Sequence, residues 1–532
     1  MIDLFWLILI PITVATAAML LPYKTARAVM LLLQVFMVII SFISFLYVKT
    51  NGTVVSNIGG WPDYVGIALR ADLIAMVMVL VTTVLFLFMV LFNIIREYVN
   101  NLFLFLFTVM EGLMIGIFLS NDLFNIFVLV EVSTVIISIL IMFKKDSRSI
   151  YDGMLYLLIN IVSMTFFLFG IGILYKTLGV IDFNGIKEAI PKLKHIHSLI
   201  LPYSLIITSV SLKSALMPLF SWLPKAHGTP SAPSVVSAIL SGLYVKSGLY
   251  LFIRIQAVFS PQIDTSELFL VLGFVTAVIG FMLAIAQKDL KLILAYHTVS
   301  QIGLIMMGIN MNNPQTYFGG IYHIINHAVF KSTLFLTAGM IIDEYRSRDV
   351  YKINGVLKRM PLVSVATILA ILGITGAPFF NGSISKYWIA YGAAGTWAEY
   401  GLVLVNLGTV ISFVKYSGIF LGRSASHKSR TQPIRNIIVL AMGIMCLLGG
   451  ILGEWMIDYL FNTRLIVDPA SYFMKTLAFI ATLAAGILIY HGWLKKSRIL
   501  KNAKRFEFSF NSICLAITVF FTFILVYLRV TL

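Results

Sequence analysis

A glutamate and a lysine lie deep inside long apolar segments of this chain, where a charge needs a partner, water or a function. Glu131 follows Asp122 by nine residues, which places it about 13 Å below the start of its segment at a helical rise of 1.5 Å per residue. Lys213 lies at a similar depth in another segment, shortly before Pro218. Because a charge at the bilayer centre costs about 2.5–3.5 kcal/mol on insertion scales, the two residues are predicted to form an ion pair.

A second set of basic residues extends this pair. Lys246 stands in mid-segment between two glycines, and such small residues admit water or a close neighbour. His323, His327 and Lys331 are spaced four residues apart, so their side chains stack along one helix face. A single buried histidine is more often a hydrogen-bonded core residue than a proton carrier. Three basic side chains on one helix face, however, favour proton transfer.

Four further residues complete the set of candidates. Lys386 follows a break in its apolar segment and is predicted to end the series. Lys415, His227 and Glu111 are auxiliary candidates. Two alternatives stay open: Glu111 as a protonated structural residue, and the glutamate–lysine pair as a static contact that only fixes two helices.

The chemistry expected of this series is ion transfer through exchange of charge partners. Burial disfavours the charge of a lysine, and a nearby carboxylate restores it. A charge pair about 4 Å apart is worth roughly 4 kcal/mol at an effective dielectric constant near 20, whereas moving one charge through 100 mV costs about 2.3 kcal/mol. Making or breaking one such pair can therefore gate the transfer of one proton or Na⁺.

The elements that position these residues follow from composition. Of 532 residues, 60% are hydrophobic and only 11% are charged, with a mean hydropathy of +0.97, whereas soluble domains carry about 25% charged residues. Nucleic-acid binding, a secreted disulfide scaffold and disorder are poor fits. We predict an all-α polytopic membrane protein with about 14–16 transmembrane helices. The candidate spans lie near 4–21, 28–48, 73–95, 101–119, 123–143, 152–175, 199–221, 234–258, 266–286, 292–309, 315–342, 361–391, 399–422, 436–458, 473–494 and 508–530.

The seventh and twelfth spans are interrupted, the first by Pro218 and the second by Gly376, Pro378 and Gly382. Breaks five spans apart are expected of two inverted five-helix repeats, although proline and glycine are also common in membrane helices. The predicted division is N-terminal helices 1–100, a first repeat 101–260, a second repeat 261–425 and C-terminal helices 426–532.

The net charge of +17 is explained by the positive-inside rule. With the N-terminus outside, most of the 39 Lys and Arg residues fall in loops that would face the cytoplasm. The exception is the loop 176–198, in which residues 181–195 are predicted to lie on the membrane surface as an amphipathic helix. We therefore expect a multi-pass protein of the cell's inner (plasma) membrane.

Several stretches resemble the antiporter-like subunit family. This family comprises the D and A subunits of Mrp-type cation/proton antiporters, the proton-pumping membrane-arm subunits of respiratory complex I, and their counterparts in membrane-bound hydrogenases. Within this family, the amino-acid sequence of residues 122–131 is most similar to that of Mrp D-type subunits and their hydrogenase relatives. The matching stretches are 59–62, 66–72, 122–131, 212–218, 222–227, 232–238 and 323–331.

The resemblance implies a role for each candidate. Glu131 corresponds to the glutamate of span 5 and Lys213 to its partner in span 7. Lys246 is similar to the connecting lysine of span 8, and Lys386 to the terminal lysine of the broken span 12, from which ions exit. The linking residues of span 11 are matched by His323, His327 and Lys331. Family members have about 14 core helices, so the last one or two spans are expected to be an addition.

The expected function is therefore proton translocation, with Na⁺/H⁺ antiport as an option, by one subunit of a multisubunit complex. The expected partners are other membrane subunits, H⁺, Na⁺ and membrane lipid, and no nucleic acid. Cys446 and Cys514 form no cluster, and we find neither a dinucleotide fingerprint nor a haem pair, so no cofactor or metal is expected in this chain. Electron transfer, if it drives the complex, would belong to a partner, which leaves open whether the complex is an enzyme.

Three alternatives make different demands on the sequence. A stand-alone secondary transporter of an organic solute would need a roomy midplane pocket with substrate-shaped polar groups. A membrane enzyme such as a lipid-modifying transferase would need a catalytic cluster at the interface. A structural subunit with vestigial charges would need neither.

Overall fold

The chain is almost entirely helical. The computed structural model describes residues 3–61, 66–228, 232–422, 432–497 and 509–532. Pro62 of the first matching stretch and the predicted boundary at residue 426 lie outside the described residues.

A small antiparallel hairpin pairs β1 (Val54–Asn57) with β2 (Ala68–Ala71). The helices are α1 Leu4–Ala18, α2 Tyr23–Asn51, α3 Leu73–Asn93, α4 Asn101–Leu119, α5 Leu123–Ile141, α6 Ser147–Leu178, α7 Phe183–Ala189, α8 Ile200–Lys213, α9 Trp222–His227, α10 Ser234–Ile239, α11 Val245–Phe259, α12 Ser266–Ala286, α13 Leu290–Ile309, α14 Pro314–Tyr345, α15 Val356–Arg359, α16 Pro361–Thr375, α17 Asn381–Gly392, α18 Trp397–Ser417, α19 Pro433–Ile451, α20 Gly453–Phe461, α21 Pro469–Gly492 and α22 Phe510–Thr531.

The predicted membrane spans are all present as helices. Within the described residues, fourteen helical segments are long and apolar enough to cross a membrane, and two shorter apolar helices, α1 and α16, occupy the remaining predicted positions. Helices suit this environment because each satisfies its backbone hydrogen bonds internally. The prediction of an all-α polytopic membrane protein is confirmed.

Both predicted helix breaks are confirmed. α8 ends at Lys213, so this lysine lies at the helix end and not in its middle. In the twelfth span, α16 ends at Thr375 and α17 begins at Asn381. Gly376 stands between them with φ of +80°, a left-handed conformation that glycine adopts without a Cβ penalty.

One backbone contact recurs at matching places in the two predicted repeats. Asp122, before α5, forms a β-bridge with Asp182, and Asp289, before α13, forms one with Asp349. In each bridge the neighbours of the two aspartates exchange two N–H···O hydrogen bonds of 2.9–3.1 Å. Five spans separate the two bridges, which is the spacing that two five-helix repeats require.

The helices group into two compact units. Unit 1 comprises Met1–Trp222, Tyr244–Thr265 and Ser509–Leu532, and unit 2 comprises Leu223–Leu243 and Ser266–Phe508. In unit 1 the last helix, α22, packs against α6 and α8, whereas α19 and α21 pack against helices of unit 2. The boundaries of these units differ from those of the four parts predicted from the sequence. That four-part division stays a prediction.

Candidate ion-translocation site

The first charged cluster lies in unit 1 at the end of α8. Lys213 is only 5% exposed, and its Nζ donates hydrogen bonds to Thr134 Oγ1 at 2.9 Å and to the Tyr244 hydroxyl at 3.4 Å. Thr134 lies three residues after Glu131 on α5, so both side chains belong to the same face of that helix. The structure thus brings Lys213 to the face of α5 that carries Glu131.

The contact between these two charges differs from the predicted ion pair. Glu131 attracts Lys213 electrostatically, but the ion pairs formed by the described residues do not include the two together. Lys213 instead donates its hydrogen bonds to the hydroxyls of Thr134 and Tyr244. Lys213 therefore has two kinds of acceptor within its surroundings, one neutral and one anionic.

A glycine lets α11, which carries Lys246, approach the end of α8. Lys246 is fully buried, and Tyr244 closes a π-helical segment, Leu240–Tyr244, that joins α10 to α11. A Cβ on Gly248 would stand 2.7 Å from the carbonyl carbon of Lys213, so only glycine lets α11 approach the end of α8 this closely. The small residues beside Lys246 admit a close neighbour, as the sequence indicated.

Glu111 belongs to a separate contact in the same unit. It is fully buried on α4, and its Oε2 accepts a 2.5 Å hydrogen bond from Gln34 Nε2 on α2. Its partner is therefore an amide and not a lysine. This geometry favours the structural interpretation of Glu111.

Aspartates fix the ends of the helices that carry the cluster. Asp122 caps α5 by accepting a hydrogen bond from Asn125 N, and burial, together with the charge of Asp182, raises the pKa of Asp122. Asp72 caps α3 and binds Arg254 of α11 at 2.6 Å. Burial opposes ionisation there, but the hydrogen bond and charge of Arg254 outweigh it and lower the pKa of Asp72.

The second cluster lies in unit 2 and centres on His323. Its Nδ1 is 2.8 Å from Ser385 Oγ and its Nε2 is 3.0 Å from Gln301 Oε1. One imidazole therefore joins α14 to α17 and to α13. Because a neutral imidazole has one donor and one acceptor nitrogen, this ring is suited to pass a proton between its two sides.

His327 and Lys331 continue along the same helix. Both are fully buried, and the rings of His323 and His327 lie 6.4 Å apart between centroids. Lys331 Nζ donates a 2.7 Å hydrogen bond to the carbonyl of Leu294 in α13. The three side chains that the sequence placed on one face of α14 are thus part of one buried polar file.

Lys386 lies where the twelfth span breaks. Its Nζ donates to the carbonyl of Ile374 at 2.7 Å and to Asn406 Oδ1 at 3.0 Å. The last carbonyls of a helix have no partner within the helix, so the end of α16 supplies an acceptor for the ammonium. The break therefore holds a lysine in the interior on uncharged oxygen acceptors.

Two auxiliary candidates make contacts of a structural kind. Lys415 Nζ donates to the carbonyls of Ala284, Ile285 and Gln287 at the end of α12, as basic residues do at helix C-termini. The ring of His227 packs edge-on against Phe335, with centroids 4.9 Å apart. Phe335 lies one turn after Lys331 on α14, so His227 packs beside the end of this series, whereas the Lys415 contacts are with α12.

Sequence reasoning missed the neutral members of both clusters. Thr134, Tyr244, Gln301, Ser385 and Asn406 hold the charged groups, yet uncharged polar residues are frequent in membrane helices and carry no distinctive spacing. No group of three His, Cys, Asp or Glu side chains suited to a metal ion occurs in the part of the chain that the structure describes. The expectation that the chain carries no cofactor stays a prediction.

Broken helices with buried lysines at the breaks, in a polytopic all-α fold, define a class of ion-translocating membrane proteins. Residues 120–412, more than half of the chain, match the family described as NADH:quinone oxidoreductase/Mrp antiporter, TM. The chain belongs to this family, as its motifs predicted.

Individual relatives agree with this assignment. A protein named "Putative antiporter subunit mnhD2", from Staphylococcus aureus, is 29% identical over 426 residues, which cover 76% of this chain and 85% of that protein. The fold is similar to a chain of the Mrp complex from Dietzia sp. DQ12-45-1b, with a TM-score of 0.79, 23% identity and coverage of 94% of this chain and 99% of the other. It is also similar to a chain of an archaeal membrane-bound sulfane sulfur reductase, with a TM-score of 0.79, 22% identity and coverage of 91% and 99%.

Proposed function

We propose that this chain translocates protons, in exchange for Na⁺, as one membrane subunit of a multisubunit complex in the plasma membrane. The observation that carries the proposal is the position of Lys213, whose ammonium is bound by two neutral hydroxyls beside the helix face of Glu131. An ammonium with a choice between neutral and anionic acceptors can change partner. The antiporter name of the staphylococcal relative supports the same function.

In the proposed mechanism Lys213 alternates between Glu131 and the hydroxyl pair. When it pairs with Glu131, its charge moves away from the Tyr244 hydroxyl and from α11, the helix that carries Lys246. Like charges repel strongly in an interior of low dielectric constant. When the Lys213 ammonium moves away, Lys246 can therefore hold a proton. When the ammonium returns, it favours release of that proton from Lys246.

The cluster in unit 2 supports onward transfer. Lys331 and Lys386 are held by carbonyl and amide oxygens, and the acidic residues of the described spans in this unit lie at helix ends, such as Glu267 and Glu399. No carboxylate within those spans neutralises the row. A proton gained by one member therefore raises the free energy of every other charged member, which favours release at the far end of the row.

The surface around Glu131 supports assembly with another subunit. Glu131 is partly exposed, and Val128, Val132 and Val135 beside it on α5 are exposed and apolar. A carboxylate facing hydrocarbon is costly, so a neighbouring membrane subunit is the expected cover. The excess of basic residues in alternate loops supports an N-terminus on the outer side.

The test is Lys213→Ala in the assembled complex, with Lys176→Ala, an exposed lysine at the end of α6, as control. Ion translocation is measured in inverted vesicles by quenching of a pH-sensitive dye. We expect at least a roughly tenfold loss for Lys213→Ala, equivalent to about 1.4 kcal/mol, and none for the control. Undiminished translocation at normal expression would contradict partner exchange.

A stand-alone solute transporter is not favoured. Such a transporter would need a midplane pocket for its solute at the place where this chain carries the row of lysines. The family to which the chain belongs is also not named for solute uptake.

A further inference from the structure

A cavity of about 150 Å³ in unit 2 connects Lys386 with two charges that the proposed row does not include. Lys386, Asn406, Glu399 and Lys475 all line it. Its volume is sufficient for several water molecules. Most of its lining is apolar, and the charged and polar side chains among it offer hydrogen-bonding sites for water.

The cavity follows one face of α18. Glu399, Val403 and Asn406 lie at helical spacing along this face, and Asn406 is the residue that binds Lys386 Nζ. The seven residues from Asn406 to Glu399 correspond to about 10 Å at 1.5 Å per residue. A short chain of water molecules can cover this distance.

The opposite wall is supplied by α21, which lies beyond the residues that match the family. Lys475 and Thr482 line the cavity over the same length. Glu399 and Lys475 interact electrostatically, so the end of the cavity far from Lys386 carries one acid and one base.

We infer that Glu399 is the proton-exchange residue between Lys386 and the aqueous compartment on the side at which α18 begins, with Lys475 as its positioning partner. This inference rests on the proposed function. The Lys386 ammonium gives its proton to water in the cavity, and the Glu399 carboxylate takes it up and releases it to the compartment. Lys386 is left as a neutral amine, ready for the next proton, and Lys475 stabilises the ionised form of Glu399 between transfers.

A structural role for Glu399 requires a separate control. Its Oε2 accepts a 3.0 Å hydrogen bond from Gly395 N before the start of α18, as glutamate does in a helix-capping arrangement. Glutamine serves equally well in that arrangement, but an amide cannot carry the proton. Glu399→Gln therefore removes the proposed role and keeps the structural one, and Glu399→Asp keeps a titratable group.

The experiment measures proton translocation by the assembled complex in vesicles. We expect Glu399→Gln to lower the rate at least tenfold and Glu399→Asp to retain more than a third of it. We expect Lys475→Met to lower the rate less than Glu399→Gln does. The matched control is Glu267→Gln, an exposed glutamate in the first turn of α12, which should leave the rate unchanged. Equal rates for Glu399→Gln and Glu267→Gln would overturn the inference.

A second variant pair tests the cavity without changing a charge. Ala478 lines the cavity on α21, whereas Ala481 on the same helix does not. We expect Ala478→Phe to displace the water and lower the rate at least fivefold, and Ala481→Phe to have no effect. Normal rates for Ala478→Phe would also contradict the inference. If the wild-type complex moved no protons at all, the proposed function would fail, whereas normal rates in these variants would reject only the exit route.

Discussion

At the residue scale, the central feature is an ammonium that is bound by hydroxyls although a carboxylate is close by. Hydrogen bonds to charged groups contribute about 1.5–3 kcal/mol, which is comparable to the attraction of a charge pair at an intermediate dielectric constant. Lys213 can therefore leave Thr134 and Tyr244 for Glu131 at a small difference in free energy. A lysine held by Glu131 alone would be a static contact.

Thr134→Val tests this balance, because it removes the 2.9 Å acceptor of Lys213 and keeps the side-chain shape. We expect the lysine to shift towards Glu131 and translocation to fall roughly tenfold, as a loss of about 1.4 kcal/mol would produce. The rate is measured in vesicles that contain the assembled complex. Thr165→Val, an exposed threonine whose hydroxyl bonds only its own helix, is the control, and equal rates for both would show that the hydroxyl has no role.

At the scale of elements, helix ends and close helix contacts determine where the charges lie. α8 stops at Lys213, whose ammonium is held by hydroxyls of neighbouring elements. α16 stops before Gly376, and there the carbonyl of Ile374 at the helix end accepts from Lys386. Gly248 then lets α11 pack against the end of α8. The same helices without these features would hold their lysines farther from any acceptor.

Gly248→Val should separate α11 from α8, because its Cβ would meet the backbone of Lys213 at 2.7 Å. We expect a loss of translocation of at least tenfold together with a lower melting temperature, since overpacking typically costs 1–3 kcal/mol. Gly172→Val on α6, where a Cβ would meet nothing within 4 Å, should change neither. The measurements are vesicle assays and thermal unfolding of the detergent-solubilised complex, and a neutral Gly248→Val would contradict the close approach.

At the scale of the whole molecule, the chain exposes apolar surface that suits a multisubunit assembly. Only 6% of the apolar stretch of α21 and 28% of that of α22 are buried within the chain, and α5 exposes valines beside Glu131. Lipid and neighbouring subunits are the expected cover for these surfaces. The partly exposed glutamate favours a protein neighbour on α5.

The chain reconstituted alone should therefore not catalyse coupled ion exchange, because Glu131 would lack the neighbour that shields it from lipid. Proteoliposomes with the chain alone, the complete complex and the complex without this chain can be compared by dye quenching. We expect activity only in the complete complex. Coupled exchange by the isolated chain at the rate of the complex would instead support a stand-alone transporter.

The sequence by itself determined the helical class, the positions of the spans and the two breaks, whereas the charged members of the row stay a prediction. These follow from local properties: apolar runs of sufficient length, prolines and glycines within them, and charges whose cost in a membrane is high. The family motifs also lie in continuous stretches, and those from residue 122 onward fall within residues 120–412, which match the family.

Only the tertiary structure decided which neutral groups hold those charges. Thr134 and Tyr244 are 110 residues apart, and both reach Lys213 only because three helices pack with particular rotations. Likewise the cavity beside Lys386 depends on α21, whose lysine at position 475 is far from the break in sequence. Helix rotation and helix neighbours arise from packing of the whole chain, which no local pattern of residues encodes.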